Sequence, residues 1–259
     1  MISSKSLMVN CLELQLALAL WALLSVGCSG PAPQDRSDPI VIAAASDLAK
    51  IGPAFQVAFR RLTGYEATFS FGASGQLAEQ IRQGAPFDVF LPAARSYCES
   101  LERDGLLAGE CEAYGLGRLV VWSRQYRLVT LEDLRQNANL RIAIANPGYA
   151  PYGLAAQQAL EAAGLWQALQ PRIIFADSVS HAFLMAQTGN ADVGIVAIAL
   201  VKDEGGNSLL VDADLHEPVE QMAAIVQSSA RKDAARAFIE YLTGPESRRL
   251  LESYGFERR

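Results

Sequence analysis

Short apolar runs recur along this chain, each followed within a few residues by a longer amphipathic segment, and this alternation limits the fold more than any other feature. Pro39 to Ala45 reads as a strand buried on both faces. A helix through Phe55, Ala58, Phe59 and Leu62 follows and ends at Gly64, with Pro53 tolerated near its first turn. Thr68 to Phe71 is a strand, Gln76 to Arg82 a helix closed by Gly84, Asp88 to Leu91 a strand, and Arg95 to Arg103 a helix closed by Gly105. The pattern resumes after the run Leu116 to Trp122. Thr130 with Asp133 resembles a capping box for a short helix. Arg141 to Ala145, Leu154 to Ala163, Arg172 to Phe175, His181 to Gln187 and Asp192 to Ile198 then read strand, helix, strand, helix, strand. A strand near Met222 to Val226 and helices Ala230 to Leu242 and Ser247 to Tyr254 complete the chain. Strand and helix in alternation predict an α/β fold with mostly parallel sheets.

The sequence of 259 residues is 51% hydrophobic and 19% charged, enough apolar material for a large core or two modest ones. The number of strand-helix units predicts two lobes, residues 39–117 with 222–259 in one and 118–221 in the other. Ahead of them, Lys5, the apolar run Leu16 to Leu24, small residues and Cys28 read as a secretory signal over residues 1–27. A tether over residues 28–38 follows, beginning at a Cys28 expected to carry a lipid. Leu24, Ser25, Val26 and Gly27 resemble a bacterial lipoprotein cleavage box with its leucine one place early, and Glu13 is unusual for such a leader. Cleavage without lipid would export the chain equally.

A formal net charge of -6 gives no field to attract nucleic acid, nor one that draws in an anion from a distance. Any anion site must therefore act at short range. Cys98 and Cys111 are either a disulfide closing a short loop in an oxidising compartment or two buried thiols. With His181 and His216 as the only histidines and no Cys-x-x-Cys, a zinc or iron site has little to build on.

The turns from strand to helix carry the functional signal. Ala43-Ala44-Ala45-Ser46-Asp47, Phe71-Gly72-Ala73-Ser74-Gly75, Asn146-Pro147 through Pro151-Tyr152-Gly153, and Ala176-Asp177-Ser178-Val179 each put small or hydroxyl residues at a helix amino terminus. In open α/β sheets ligands bind at the carboxyl ends of strands. Unpaired helix N–H groups there favour anions without a formal positive charge. Taken singly, Ser46, Ser74 or Ser178 is more often a helix cap than a ligand contact, and Gly72 and Gly75 are ordinary turn formers.

Those turns, with Gln80-Ile81, Gly84-Ala85-Pro86-Phe87-Asp88-Val89-Phe90, Gly194-Ile195-Val196 and Tyr254-Gly255-Phe256, resemble the periplasmic molybdate-binding proteins of ABC transporters. The likeness runs in order from residue 39 to the end. It implies a type II periplasmic-binding-protein fold that closes about two crossover strands on an oxyanion, molybdate or tungstate, with no cofactor. By position it implies that Ser46 and Ser74 donate from one lobe, and that Tyr152 and Val179 donate backbone N–H groups from the other. Many relatives have a tyrosine where this chain has Ala197, so either one bond is missing or the Tyr152 hydroxyl replaces it. The resemblance further implies a monomer that docks on a membrane permease. Alternatives are a binding protein for sulfate, phosphate or thiosulfate, disfavoured by the lack of arginine in the four turns, and an exported hydrolase using Ser46 or Ser74 with a histidine. The hydrolase lacks nucleophile-elbow spacing. An exported leader does not suit the effector half of a transcription regulator.

Overall fold

A computed structural model describes residues 38–258. The expected signal peptide, Cys28 and all but the last residue of the tether lie outside the described residues. Two five-stranded sheets form the framework. The first holds β1 (Ile40–Ala45), β2 (Ala67–Gly72), β3 (Val89–Leu91), β4 (Glu112–Gly117) and β10 (Val219–Ile225), in the order β2-β1-β3-β10-β4. The second holds β5 (Leu119–Ser123), β6 (Ile142–Ala145), β7 (Ile173–Ala176), β8 (Val193–Ala197) and β9 (Asn207–Leu210), in the order β7-β6-β8-β5-β9. Helices α1 (Gly52–Thr63), α2 (Ser74–Arg82) and α3 (Arg95–Arg103) connect strands of the first sheet. The second is served by α4 (Asp133–Gln136), α5 (Pro151–Ala162), α6 (Trp166–Leu169), α7 (Val179–Thr188) and α8 (Ile198–Val201). The chain then returns through β10 to α9 (Lys232–Thr243) and α10 (Pro245–Ser253).

The expected α/β architecture is present, with one reversed strand in each sheet. β1 pairs in parallel with β2 and β3, and β6 in parallel with β7 and β8. β10 and β5 run antiparallel to both of their neighbours. These reversed strands are where the chain changes sheets. The run Leu116 to Trp122, read as one segment, is two strands separated by Arg118: Gly117 ends β4 in the first sheet and Leu119 opens β5 in the second. Apolar character continues across the break because both strands are buried there. The expected lobe boundary at residue 222 falls inside β10, whose first three residues pair with β4. Edge strand β9 was not expected. Its alternate residues are exposed, so it lacks the continuous apolar run that marks its neighbours.

Helix boundaries differ from expectation in one consistent way. α2, α5 and α7 begin at Ser74, Pro151 and Val179, two or three residues before the amphipathic pattern starts. Those first turns, Ser74-Gly75, Pro151-Tyr152-Gly153 and Val179-Ser180, carry no apolar stripe of helical spacing, so the periodic pattern starts after them. Asp133 accepts from the amides of Thr130 and Val129 at 3.0 and 2.7 Å, as a capping carboxylate does, though the helix itself starts at Asp133.

Cys98 on α3 and Cys111 form a disulfide with Cα atoms 6.2 Å apart and a sequence separation of 13. By loop-closure entropy, Cys98→Ser with Cys111→Ser should lower stability by about 3 kcal/mol. Denaturant unfolding of the double variant checks this, and a midpoint equal to that of the wild type would show that the bridge adds nothing. Among the described residues no helix is long and apolar enough to cross a membrane.

Candidate functional site

The carboxyl ends of β1 and β2 in one sheet face the amino termini of α5 and α7 in the other. The lobes meet there directly: Gly75 N–H donates to the Tyr149 carbonyl at 2.9 Å, and Ser180 N–H donates to Ser46 Oγ at 3.3 Å. A side chain at Gly75 would collide with Tyr149, since a Cβ there would lie 2.9 Å from Tyr149 Cβ and 3.0 Å from its carbonyl oxygen. A third tie is Lys50 Nζ, 2.7 Å from Glu204 Oε1. The two lobes are thus closed on each other.

Between them lies a cavity lined by Ala45, Ser46, Asp47, Gly72, Ala73, Ser74, Ala93, Ala150, Pro151, Tyr152 and Val179. Its volume is about 10 Å³, the room one water-sized species needs. All four residues expected from sequence, Ser46, Ser74, Tyr152 and Val179, border it, and none is more than 5% exposed. Each serine is oriented by a backbone amide: Ser74 Oγ accepts from Ala93 N–H at 3.0 Å and Ser46 Oγ from Ser180 N–H. With a lone pair engaged, each hydroxyl keeps its proton to give to a ligand. Val179 is the first residue of α7 and Tyr152 the second of α5, where amides have no partner one turn back. Pro151 occupies the first position of α5, which suits a residue without N–H. Ser178 is a cap, its hydroxyl accepting from His181 N–H at 3.2 Å.

No lining residue is a cation. Dipoles of three helix starts supply the positive potential instead. The cavity also holds a residue that sequence reasoning passed over, Asp47. Its side chain is fully buried and Oδ2 accepts from Gln221 Nε2 at 2.9 Å. Burial raises its carboxyl to about 6, against the opposing effects of the Tyr152 hydroxyl, the local amides and Gln221. The one available signal was its place beside Ser46, which reads equally as an ordinary first-turn acid.

The Tyr152 hydroxyl, offered as a substitute for a side chain missing at Ala197, lies over Gly117, where a Cβ would be 2.0 Å from it. It makes no hydrogen bond of good geometry, and burial, followed by the charge and proximity of Asp47, pushes it well above the usual tyrosine range. Ala197 ends β8 fully buried and does not border the cavity. The histidines lie elsewhere: His181 is exposed, 3.8 Å from Asp177, and His216 Nδ1 is 2.7 Å from the Glu217 carbonyl. Neither lines the cavity. Among the described residues no group of three His, Cys, Asp or Glu could hold a metal ion.

Residues 40–257 match the family described as bacterial extracellular solute-binding protein. The molybdate-binding protein ModA of Rhodobacter capsulatus is 35% identical over 220 residues, 84% of this chain and 87% of its own. That of Azotobacter vinelandii is 38% identical over 205 residues, 76% of this chain and 81% of its own. The solved Azotobacter vinelandii periplasmic molybdate-binding protein superposes with a TM-score of 0.80 at 33% identity, covering 86% of this chain and all of that one.

Proposed function

The chain belongs to the bacterial extracellular solute-binding proteins, and from that premise we propose that it is the molybdate-binding component of an ABC importer. The observation that carries the ligand is the cavity between the lobes, where Ser46, Ser74, Tyr152 and Val179 converge without any cation. An oxyanion there is bound entirely through its oxygens, by two hydroxyls and by amides at helix starts. Each charge-assisted hydrogen bond is worth roughly 1.5 to 3 kcal/mol, so four to six of them support micromolar or tighter binding after the entropic costs of association. Tungstate, of the same shape and charge, enters the same cavity. Sulfate is smaller, and donors fixed to rigid lobes cannot follow it inward, so size discriminates. Capture needs no chemistry; the chain is a carrier and not an enzyme. The liganded form is presented as a monomer to a permease, with a lipid on Cys28 holding it at the membrane.

A thermal shift series with molybdate, tungstate and sulfate at equal concentration tests this reading. A ligand at 100 times its dissociation constant adds about 2.7 kcal/mol of stability. Molybdate and tungstate should raise the melting temperature clearly and sulfate little. A shift with sulfate alone would reassign the ligand, and no shift with any of the three would remove the oxyanion.

A further inference from the structure

Asp47 follows Ser46 and borders the same cavity, where it is the only acidic or basic side chain, and of the wrong sign for an anion's neighbour. Its contacts are neutral. Gln221, which donates to Oδ2, accepts in turn from the Tyr114 hydroxyl at 3.2 Å. Asp47 Oδ1 and the Tyr152 hydroxyl, which reaches the same place from the other lobe, make no hydrogen bond of good geometry, although the hydroxyl lies near enough to lower the carboxyl. The charged groups on the surrounding elements are engaged elsewhere. Lys50, on the same turn, pairs with Glu204, Lys202 with Asp203 at 3.1 Å, and Arg95 with Glu220 at 2.8 Å. His181 of α7 is exposed beside Asp177. A dianion seated on Ser46 therefore meets a buried carboxyl with no cation to compensate the two like charges.

We propose that Asp47 is protonated whenever the oxyanion is bound, so that capture takes up a proton from solvent wherever the empty site holds the carboxylate, and Asp47 sets how affinity varies with pH. This rests on the cavity being the oxyanion site. Asp47 borders the cavity with no cation in the lining, and burial already brings the carboxyl to about 6 before an anion adds its own repulsion. The direction follows. Well below pH 6 the carboxyl is neutral with or without ligand, and affinity is level. Above that, each capture must bring a proton, and the dissociation constant rises by up to about tenfold per pH unit until the carboxyl of the complex itself ionises. Molybdate stays a dianion throughout this range.

Calorimetric titration of the protein with molybdate, at about pH 6 and about pH 8 and in buffers of different ionisation heat, measures affinity and proton uptake together. The wild type should bind more weakly at the higher pH, with net proton uptake. Asp47→Asn should bind with no proton uptake and a level profile, whereas His181→Gln should keep the wild-type slope. Equal affinity at both pH values with no proton taken up by the wild type would overturn the proposal, a result that needs no variant to fold. Loss of the slope in His181→Gln would overturn it too, assigning the proton to the surface imidazole. Absence of molybdate binding at every pH would instead remove the oxyanion reading itself.

Discussion

A Val179→Pro variant should bind molybdate about ten- to a hundredfold more weakly than the wild type, while its unliganded melting temperature falls by no more than a few degrees. Proline deletes one atom that matters here, the amide hydrogen. Elsewhere in a helix it would also break the backbone ladder, but Val179 is the first residue of α7, where the N–H has no helical partner and the required φ matches that of the ring. The preceding residue is compatible as well: Ser178 is extended, with φ -155° and ψ 168°, the conformation a following proline prefers. The same chain already uses proline in this way at Pro151, the first residue of α5. Val179 is nearly buried, so some packing is lost with the substitution. Val179→Ala controls for that, since it trims the side chain and keeps the donor; its affinity should stay within about threefold of the wild type. Calorimetry on both variants decides the matter. Equal weakening would mean that Val179 acts through packing, and wild-type binding by Val179→Pro would mean that its amide does not reach the ligand.

Gly153→Ala should be the most damaging small substitution near the site. A Cβ at this position would lie 2.1 Å from the Ala145 carbonyl oxygen and 2.6 Å from its carbon. Both are backbone atoms at the end of β6, so nothing can rotate aside, and α5 must lift away from the sheet. We expect a loss of about 3 kcal/mol or more, near the upper end for an overpacked core, which for a domain of this size lowers the melting temperature by about 10 °C. Tyr152 precedes Gly153 and moves with it, so molybdate affinity should fall at least tenfold in the fraction that folds. Gly164→Ala provides the contrast. That glycine has φ +70° with open space around it, and replacing it should cost about 1 kcal/mol with binding intact. A melting temperature for Gly153→Ala within about two degrees of the wild type would show that α5 has room to retreat.

What could be read from residues alone depended on how local the cause was. Strands β1, β3 and β6 were legible because each is a short apolar run, β2 because Phe69 and Phe71 alternate with Thr68 and Ser70, and α1 and α3 because their apolar faces recur at helical spacing and end at glycines. A disulfide between Cys98 and Cys111 could only be offered as one of two readings, since sequence separation does not determine the distance between two Cα atoms. Ser46, Ser74, Tyr152 and Val179 came from a family likeness. By physics alone each serine was indistinguishable from a helix cap, and Val179 had no side-chain signal, because its proposed part belongs to the backbone.

The order of strands and helices, the small residues at helix starts and the absence of cations in those turns were determined by the sequence by itself, because propensity, periodicity and charge act over a few neighbouring residues. Only the tertiary structure decided where the chain leaves one sheet for the other at Arg118, that four distant turns enclose one cavity, and that Asp47 and Tyr152 on its wall meet Tyr114 and Gln221. Those outcomes depend on packing between segments up to 174 residues apart, as between Gln221 and Asp47. The same burial raises the Asp47 carboxyl toward neutrality, and it exists only once the two lobes exclude water from both sides of the turn.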